Sequence, residues 1–215
     1  IESVVDSNTI CGNVSDGVFT PLKTIDPLVP NQGSEPGGGL LVGSPARVVN
    51  NIVYGNTAAV GGDGLVLIAW ENSIKVFHNT IVDNGGSGGE GLLLFRPGSE
   101  LEIYDNLIVG HGVGISTTEP VLRLWDYNGF YENGMNYAPS LMAGGHDVHG
   151  SPFFVDSAAG NYHITSASVA AGTGNDVGVV VDFDGDPRPA PPASAPDIGA
   201  DEITQRRMFL PLVRR

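Results

Sequence analysis

One cysteine, Cys11, stands in 215 residues, so no intrachain disulfide can staple this chain. Positive charge is also scarce: 10 Lys and Arg face 24 Asp and Glu, a net charge of −14. Such a chain has no basic patch with which to release counterions from phosphates, which argues against nucleic acid and anionic lipid as partners. No run of 18 apolar residues occurs, so the sequence offers no membrane span. Neither a methionine nor a leader precedes Ile1, which reads as a processed form or a fragment.

What the chain has in quantity is punctuation. With 31 Gly and 15 Pro, long helices are disfavoured and turns must be frequent, which points to an all-β fold with many corners.

A pattern supplies the corners. "SNTICGN", "NNIVYGN", "HNTIVDN", "DNLIVGH" and "YNGFYEN" each begin at or just before an Asn: Asn8, Asn51, Asn79, Asn106 and Asn128. The last three gaps are 28, 27 and 22 residues, the period of a solenoid. Two residues after each anchor stand Ile10, Val53, Ile81, Ile108 and Phe130; five after stand Asn13, Asn56, Asn84, His111 and Asn133. Before the anchors, Ala46 and Val48, Ile74 and Val76, and Leu101 and Ile103 alternate with the two-residue period of a strand and are expected to point inward. A further strand follows glycine in each turn, at Gly39, Gly64, Gly91 and Gly114.

Stacked rungs of this kind form parallel sheets with neighbouring strands about 4.8 Å apart. At a corner the backbone leaves the ladder, and a side-chain amide can donate and accept along the stack, so Asn8, Asn51, Asn79, Asn106 and Asn128 are expected to form an asparagine ladder. Asn also tolerates the left-handed backbone of a corner. A leucine-rich repeat is the competing solenoid, because "LEIYDNLI" and "IKVFHNTI" satisfy its core. Its preceding L-x-x-L is absent, however, and stretches such as "VDNGGSGGEG" are too rich in glycine for its convex helix.

Together these columns resemble the right-handed parallel β-helix proteins of the pectate-lyase-like superfamily. "SPFFVDSAAGNYHITSAS", "DFDGDPRP" and "PDIGADE" are similar to the closing segment of secreted bacterial β-helix repeat proteins. The resemblance spans roughly residues 1–203 and implies a right-handed parallel β-helix located outside the cell or on its surface. Within it, residues 1–150 read as rungs, with a proline-containing loop excursion over about 14–38, and 151–203 as a closing module. The remaining 204–215 form an apolar tail with basic flanks. Met208, Phe209, Leu210, Leu212 and Val213 of that tail are candidates for head-to-tail self-association, because a rung that starts at Ile1 would leave an open end.

No complete catalytic constellation can be assembled from the sequence. "GHG" at Gly110–Gly112 resembles a polygalacturonase-type active-site tripeptide, but the Asn-Thr-Asp, Asp-Asp and Arg-Ile-Lys elements of those enzymes are missing, and His111 falls on a corner column. Lyases of this fold need calcium-binding carboxylates beside an Arg or Lys base. Arg47, Lys75 and Glu102 share one outward column, and Arg96 and Glu119 read as a cross-rung ion pair; neither basic site has an acidic cluster in register. Asp182, Asp184 and Asp186 have the alternation of a calcium loop, but Pro187 replaces the turn glycine and no glutamate closes it, so an Asp/Gly turn paired with Arg188 competes with an incidental calcium site. His146 and His149 lack a third ligand. Phe77 and Tyr104, beside Lys75 and Glu102, are the glycan-stacking candidates, against a packing role for the same rings; Trp70 and Trp125 lie near strand ends. Cys11 reads as packing. The sequence thus favours a non-catalytic extracellular β-solenoid, adhesive or fibre-forming and able to bind polysaccharide, over a polysaccharide lyase or glycoside hydrolase. No cofactor is expected beyond calcium.

Overall fold

The computed structural model describes residues 3–15, 37–68, 73–95, 101–121 and 125–204. Trp70, Arg96, most of the 14–38 excursion and the tail residues Met208 to Val213 lie outside the described residues.

Short strands of two to five residues, cut by corners, assemble into three long parallel sheets. The first stacks Ser3–Asp6, Ala46–Val49, Ile74–Phe77, Leu101–Tyr104 and Trp125–Asp126. In the second are Thr9–Cys11, Ile52–Tyr54, Thr80–Val82, Leu107–Val109, Gly129–Tyr131 and Val148–His149. Leu40–Gly43, Leu65–Ile68, Glu90–Leu94, Val113–Thr117 and Met135–Tyr137 make the third. The fold is all-β, with parallel sheets and no closed barrel, an arrangement consistent with a β-solenoid.

Alternation decides which side chains fill the interior. Ala46, Val48, Ile74, Val76, Leu101 and Ile103 are completely buried, whereas Arg47, Lys75 and Glu102 between them face outward. Pairing in register then lines up identical positions of successive rungs into columns: Val5, Val48, Val76, Ile103 and Trp125 from the first sheet, and Ile10, Val53, Ile81, Ile108 and Phe130 from the second. A slip of one residue would turn a whole column to solvent, so burial of these columns fixes the register.

The ladder of asparagines runs along the corner between the first two sheets. Asn79 Oδ1 accepts from the backbone N–H and from Nδ2 of Asn51, both at 3.0 Å. Its own Nδ2 reaches Val48 O at 3.0 Å, Phe77 O at 3.1 Å and Asn106 Oδ1 at 2.9 Å. The same links join Asn8 to Asn51 and Asn106 to Asn128. The left-handed residue is not the ladder Asn, as expected above, but the one before it: Ser7, Asn50, His78, Asp105 and Tyr127 have φ of 49, 53, 52, 59 and 57°. The ladder Asn must keep its backbone N–H directed at the next rung, so the chain turns one residue earlier.

Glycine is required where the third sheet begins. A Cβ on Gly91 would lie 2.8 Å from Gly114 O, and one on Gly114 would lie 2.7 Å from Asn136 O, closer than a methyl group can approach the rung stacked on it.

After Val148–His149 the parallel pattern gives way to an antiparallel pair, Phe154–Asp156 and Asn161–Ile164. The segment that follows lies along the side of the stack. Tyr162, Ile164, Ala170, Ile198 and Ala200 pack on Ile52, Val82, Leu107 and Val109, the outward residues of the second sheet, while Val179 packs on Val49 and Phe77 of the first.

Asn79→Ala removes a fully buried amide and leaves its acceptors and donors without partners, so it is expected to destabilise the fold by about 1–3 kcal/mol in urea denaturation. Asn8→Ala, at the half-buried end of the ladder, should cost less than about 1 kcal/mol by the same argument. Equal effects at the two positions would contradict a buried ladder.

Candidate functional site

The outward face of the first sheet carries the basic and aromatic candidates. Strand register places Arg47 beside Lys75 and Lys75 beside Glu102. Lys75 Nζ lies 3.2 Å from Glu102 Oε1, both side chains 39% exposed. This pair is accessible, and each partner offsets the charge of the other.

Phe77 and Tyr104 are neighbours in register, with ring centroids 6.2 Å apart in an edge-on arrangement. The glycan-stacking expectation does not hold for Phe77. Its ring is only 4% exposed, because Val179 of the later segment covers it, and the Arg47 guanidinium stands 6.0 Å from its centroid. Outward is not the same as exposed here: a second layer of chain lies on this face. Tyr104 is partly buried at the margin of the same cluster. Trp125 is a core residue, its indole N–H donating to Met142 O at 2.8 Å. Cys11, expected to pack, is exposed.

His111 occupies a second ladder, one corner further on. Asn13 donates to Asn56 and Asn56 to Asn84, each at 2.9 Å between side chains. Asn84 N lies 3.3 Å from His111 Nε2, and His111 Nδ1 lies 3.3 Å from Asn133 Oδ1. Nε2 therefore accepts and Nδ1 donates, which places the neutral imidazole in the role of the missing amide. Burial pushes its pKa down to about 4, so it is uncharged at neutral pH.

In the acidic motif of the later segment, Asp182 is spent on backbone amides. Asp182 Oδ1 accepts from Asp184 N at 3.0 Å and Asp186 N at 2.8 Å, and its Oδ2 accepts from Glu202 N at 3.0 Å. Asp182, Asp184 and Asp186 thus do not converge as a calcium loop: Asp182 is buried as the organiser of the turn, Asp186 accepts from Thr204 Oγ1 at 3.1 Å, and Asp184 turns away to His163. Arg188 does not pair with the turn. It is buried, donates to Asp197 O at 2.8 Å and Ala200 O at 3.0 Å, contacts His78 Nδ1, and holds Glu202 Oε2 at 3.7 Å. His146 and His149 also separate: His146 meets Asp126 at 2.8 Å and stacks on Tyr127, whereas His149 meets Asn136 at 3.1 Å.

Sequence reasoning missed one buried polar centre. His78 and Asp105, the left-handed residues of successive corners, lie 3.6 Å apart between Nε2 and Oδ2, both inaccessible. Desolvation holds His78 well below its ordinary pKa, with Arg188 acting in the same direction. His78 Nδ1 faces both Asp197 O, at 3.1 Å, and the Arg188 guanidinium, while Nε2 faces Asp105. Burial raises Asp105 to about 7; its Oδ1 accepts from Asn175 N at 2.8 Å. The available signal was the column before each ladder Asn, which reads Ser7, Asn50, His78, Asp105 and Tyr127. Chemically this centre is sealed under protein, with Asp105 Oδ2 left without a hydrogen-bond partner and no solvent-facing nucleophile or base.

No family model, no curated protein and no solved structure matches this chain.

Two outcomes follow from this geometry. His111 is neutral when folded but protonates near pH 6.5 when unfolded, so the stability it contributes is complete above pH 6.5 and is lost as pH falls toward about 4. His111→Asn should fold normally and, between pH 7 and 4.5, avoid about 2 kcal/mol of the loss suffered by the parent; parallel pH profiles in denaturation experiments would exclude this role. Arg188→Gln leaves Glu202 without its buried partner and is expected to cost about 3–5 kcal/mol in the same assay.

Proposed function

We propose that this chain is a right-handed parallel β-helix of the pectate-lyase-like kind that works outside the cell or at its surface as a non-catalytic scaffold, adhesive or fibre-forming. The observation that carries this reading is where the reactive side chains go. His111 replaces an amide in a buried ladder, and His78, Asp105, Arg188 and Glu202 are buried where the later segment meets the stack. Lys75, an accessible base of the repeat face among the described residues, is ion-paired to Glu102, whereas a lyase needs a base free to take a proton beside a uronate.

Glycan contact fits the exposed Lys75–Glu102 strip with Tyr104 beside it. A net charge of −14 favours neutral over acidic polysaccharide, because an acidic polymer would be repelled at long range. Fibre formation would use the end of the stack where Ser3–Asp6, Thr9–Cys11 and Leu40–Gly43 are the outermost strands of their sheets among the described residues. An open cleft of about 260 Å³ there is lined in part by Val5, Ile10 and Leu40.

Incubation with a panel of acidic and neutral polysaccharides, following ultraviolet absorbance from new unsaturated ends and reducing-sugar release, is expected to show no turnover. Affinity electrophoresis on the same panel should show retardation by neutral polymers that weakens in Lys75→Ala. Release of unsaturated ends from any acidic polymer would overturn the scaffold reading in favour of a lyase.

A further inference from the structure

Three stretches far apart in sequence meet at the surface beside the antiparallel pair. His163 comes from the strand Asn161–Ile164, Asp184 from the turn organised by Asp182, and Asp201 from the "PDIGADE" segment. One ligand atom from each lies within 4.8 Å of the other two. His163 and Asp184 are 38% and 40% exposed, so an ion from solution can reach them.

The imidazole is held from behind. Asn161 Oδ1 accepts from the His163 backbone N–H at 3.2 Å, which fixes the end of the amide that faces the ring. The same oxygen lies 2.6 Å from Nδ1, so Nδ1 carries a proton. On the other side Nε2 stands 2.6 Å from Asp184 Oδ2. A neutral imidazole has a single N–H and cannot serve two acceptors at once; the Nε2 side requires one more proton, on the ring or on Asp184, or a cation in its place. Asp201 supplies a further carboxylate, oriented by the N–H of Ile164, which donates to its Oδ2 at 2.8 Å. One proton on the ring would set a single positive charge against two carboxylates, and Arg188 is buried elsewhere on backbone carbonyls and His78. An imidazole whose Nδ1–H is anchored on an oxygen while Nε2 faces carboxylates is the arrangement that orients a metal-binding histidine.

We propose that His163, Asp184 and Asp201 bind a divalent transition ion of the zinc or manganese class, with Asn161 as a positioning residue. The donor set selects the ion: calcium takes six to eight oxygens, whereas one imidazole nitrogen with two carboxylate oxygens suits zinc or manganese. At metal–ligand distances of about 2.0–2.2 Å the ligand atoms of a tetrahedral ion stand roughly 3.3 Å apart, so the 2.6 Å His163–Asp184 contact opens to admit the ion. Water completes the coordination. The ion ties together the antiparallel pair, the Asp182 turn and the last described segment, so its role is a staple rather than a catalyst.

Titration calorimetry and thermal unfolding of the full chain, stripped with chelator and then given Zn²⁺, Mn²⁺ or Ca²⁺ alone, test this. The expected result is one Zn²⁺ or Mn²⁺ per chain and a melting temperature raised by several degrees. His163→Gln and Asp184→Asn, both at accessible side chains, should keep the metal-free circular dichroism spectrum and weaken binding at least about tenfold, and Asn161→Ala about 10- to 100-fold. Absence of stoichiometric binding, undiminished binding in both ligand variants, or tighter binding of Ca²⁺ than of Zn²⁺ and Mn²⁺ would each overturn the proposal.

Discussion

The constraint on which the rest of this structure depends is the buried polar backbone at each corner. Each rung passes from the first sheet to the second through a single left-handed residue. Nearby carbonyls keep at most a long bond to the next rung, as Phe77 O does to Asn50 N at 3.3 Å, and polar backbone left under-bonded in the interior costs free energy. A single asparagine meets the demand. Its amide N–H₂ serves the carbonyl two residues back and one in the preceding rung, Phe77 O and Val48 O for Asn79, while its oxygen takes the N–H of the preceding asparagine. A hydroxyl would bring only one hydrogen to these acceptors.

The same constraint explains the exceptions. His111 can stand in a ladder because a neutral imidazole donates on one side and accepts on the other, which an amide does with its own two ends. Where the first ladder stops, its final acceptor need not donate further. Asp147 takes that place, accepting from Asn128 N at 2.9 Å and also from Tyr137 Oη and Gly144 N. A carboxylate accepts only, so it can end such a chain but not continue it. The direction of the ladder, from Asn8 toward Asn128, is thus set by the chemistry at its end.

How much of this was legible in the sequence follows from the range of the interactions. The inward columns and both ladders could be read, because an alternation and an anchor recur within each rung. The burial of Phe77 could not. It depends on Val179, about a hundred residues later in a stretch with no period. Alternation says which way a side chain points; it does not say what lies over it. Arg188 reaching His78 across 110 residues was out of reach for the same reason. The column containing His78 and Asp105 was visible as a run of residues that tolerate or resist left-handed geometry, but the ladder Asn beside it was credited with that task. His163, Asp184 and Asp201 belong to three unrelated local patterns, so only the folded chain brings them together.

Cation scarcity shapes the later segment. A chain with 10 Lys and Arg against 24 Asp and Glu cannot neutralise each buried carboxylate with a counter-charge. Asp182, Asp197 and Glu202 instead collect backbone N–H groups: Asp197 accepts from Gly172 and Ile203, and Glu202 from Ala190 and Asp197. Arg188, held near Glu202, sends its terminal nitrogens chiefly to backbone carbonyls and His78. Burial still raises the pKa of Asp197 and of Glu202 from its ordinary value, so the amides offset the desolvation penalty only in part. Fixed, buried dipoles are screened far less by salt than ion pairs at the surface. Amide donors therefore let an acidic, cation-poor chain fold a carboxylate-rich segment onto its side with little dependence on mobile counterions.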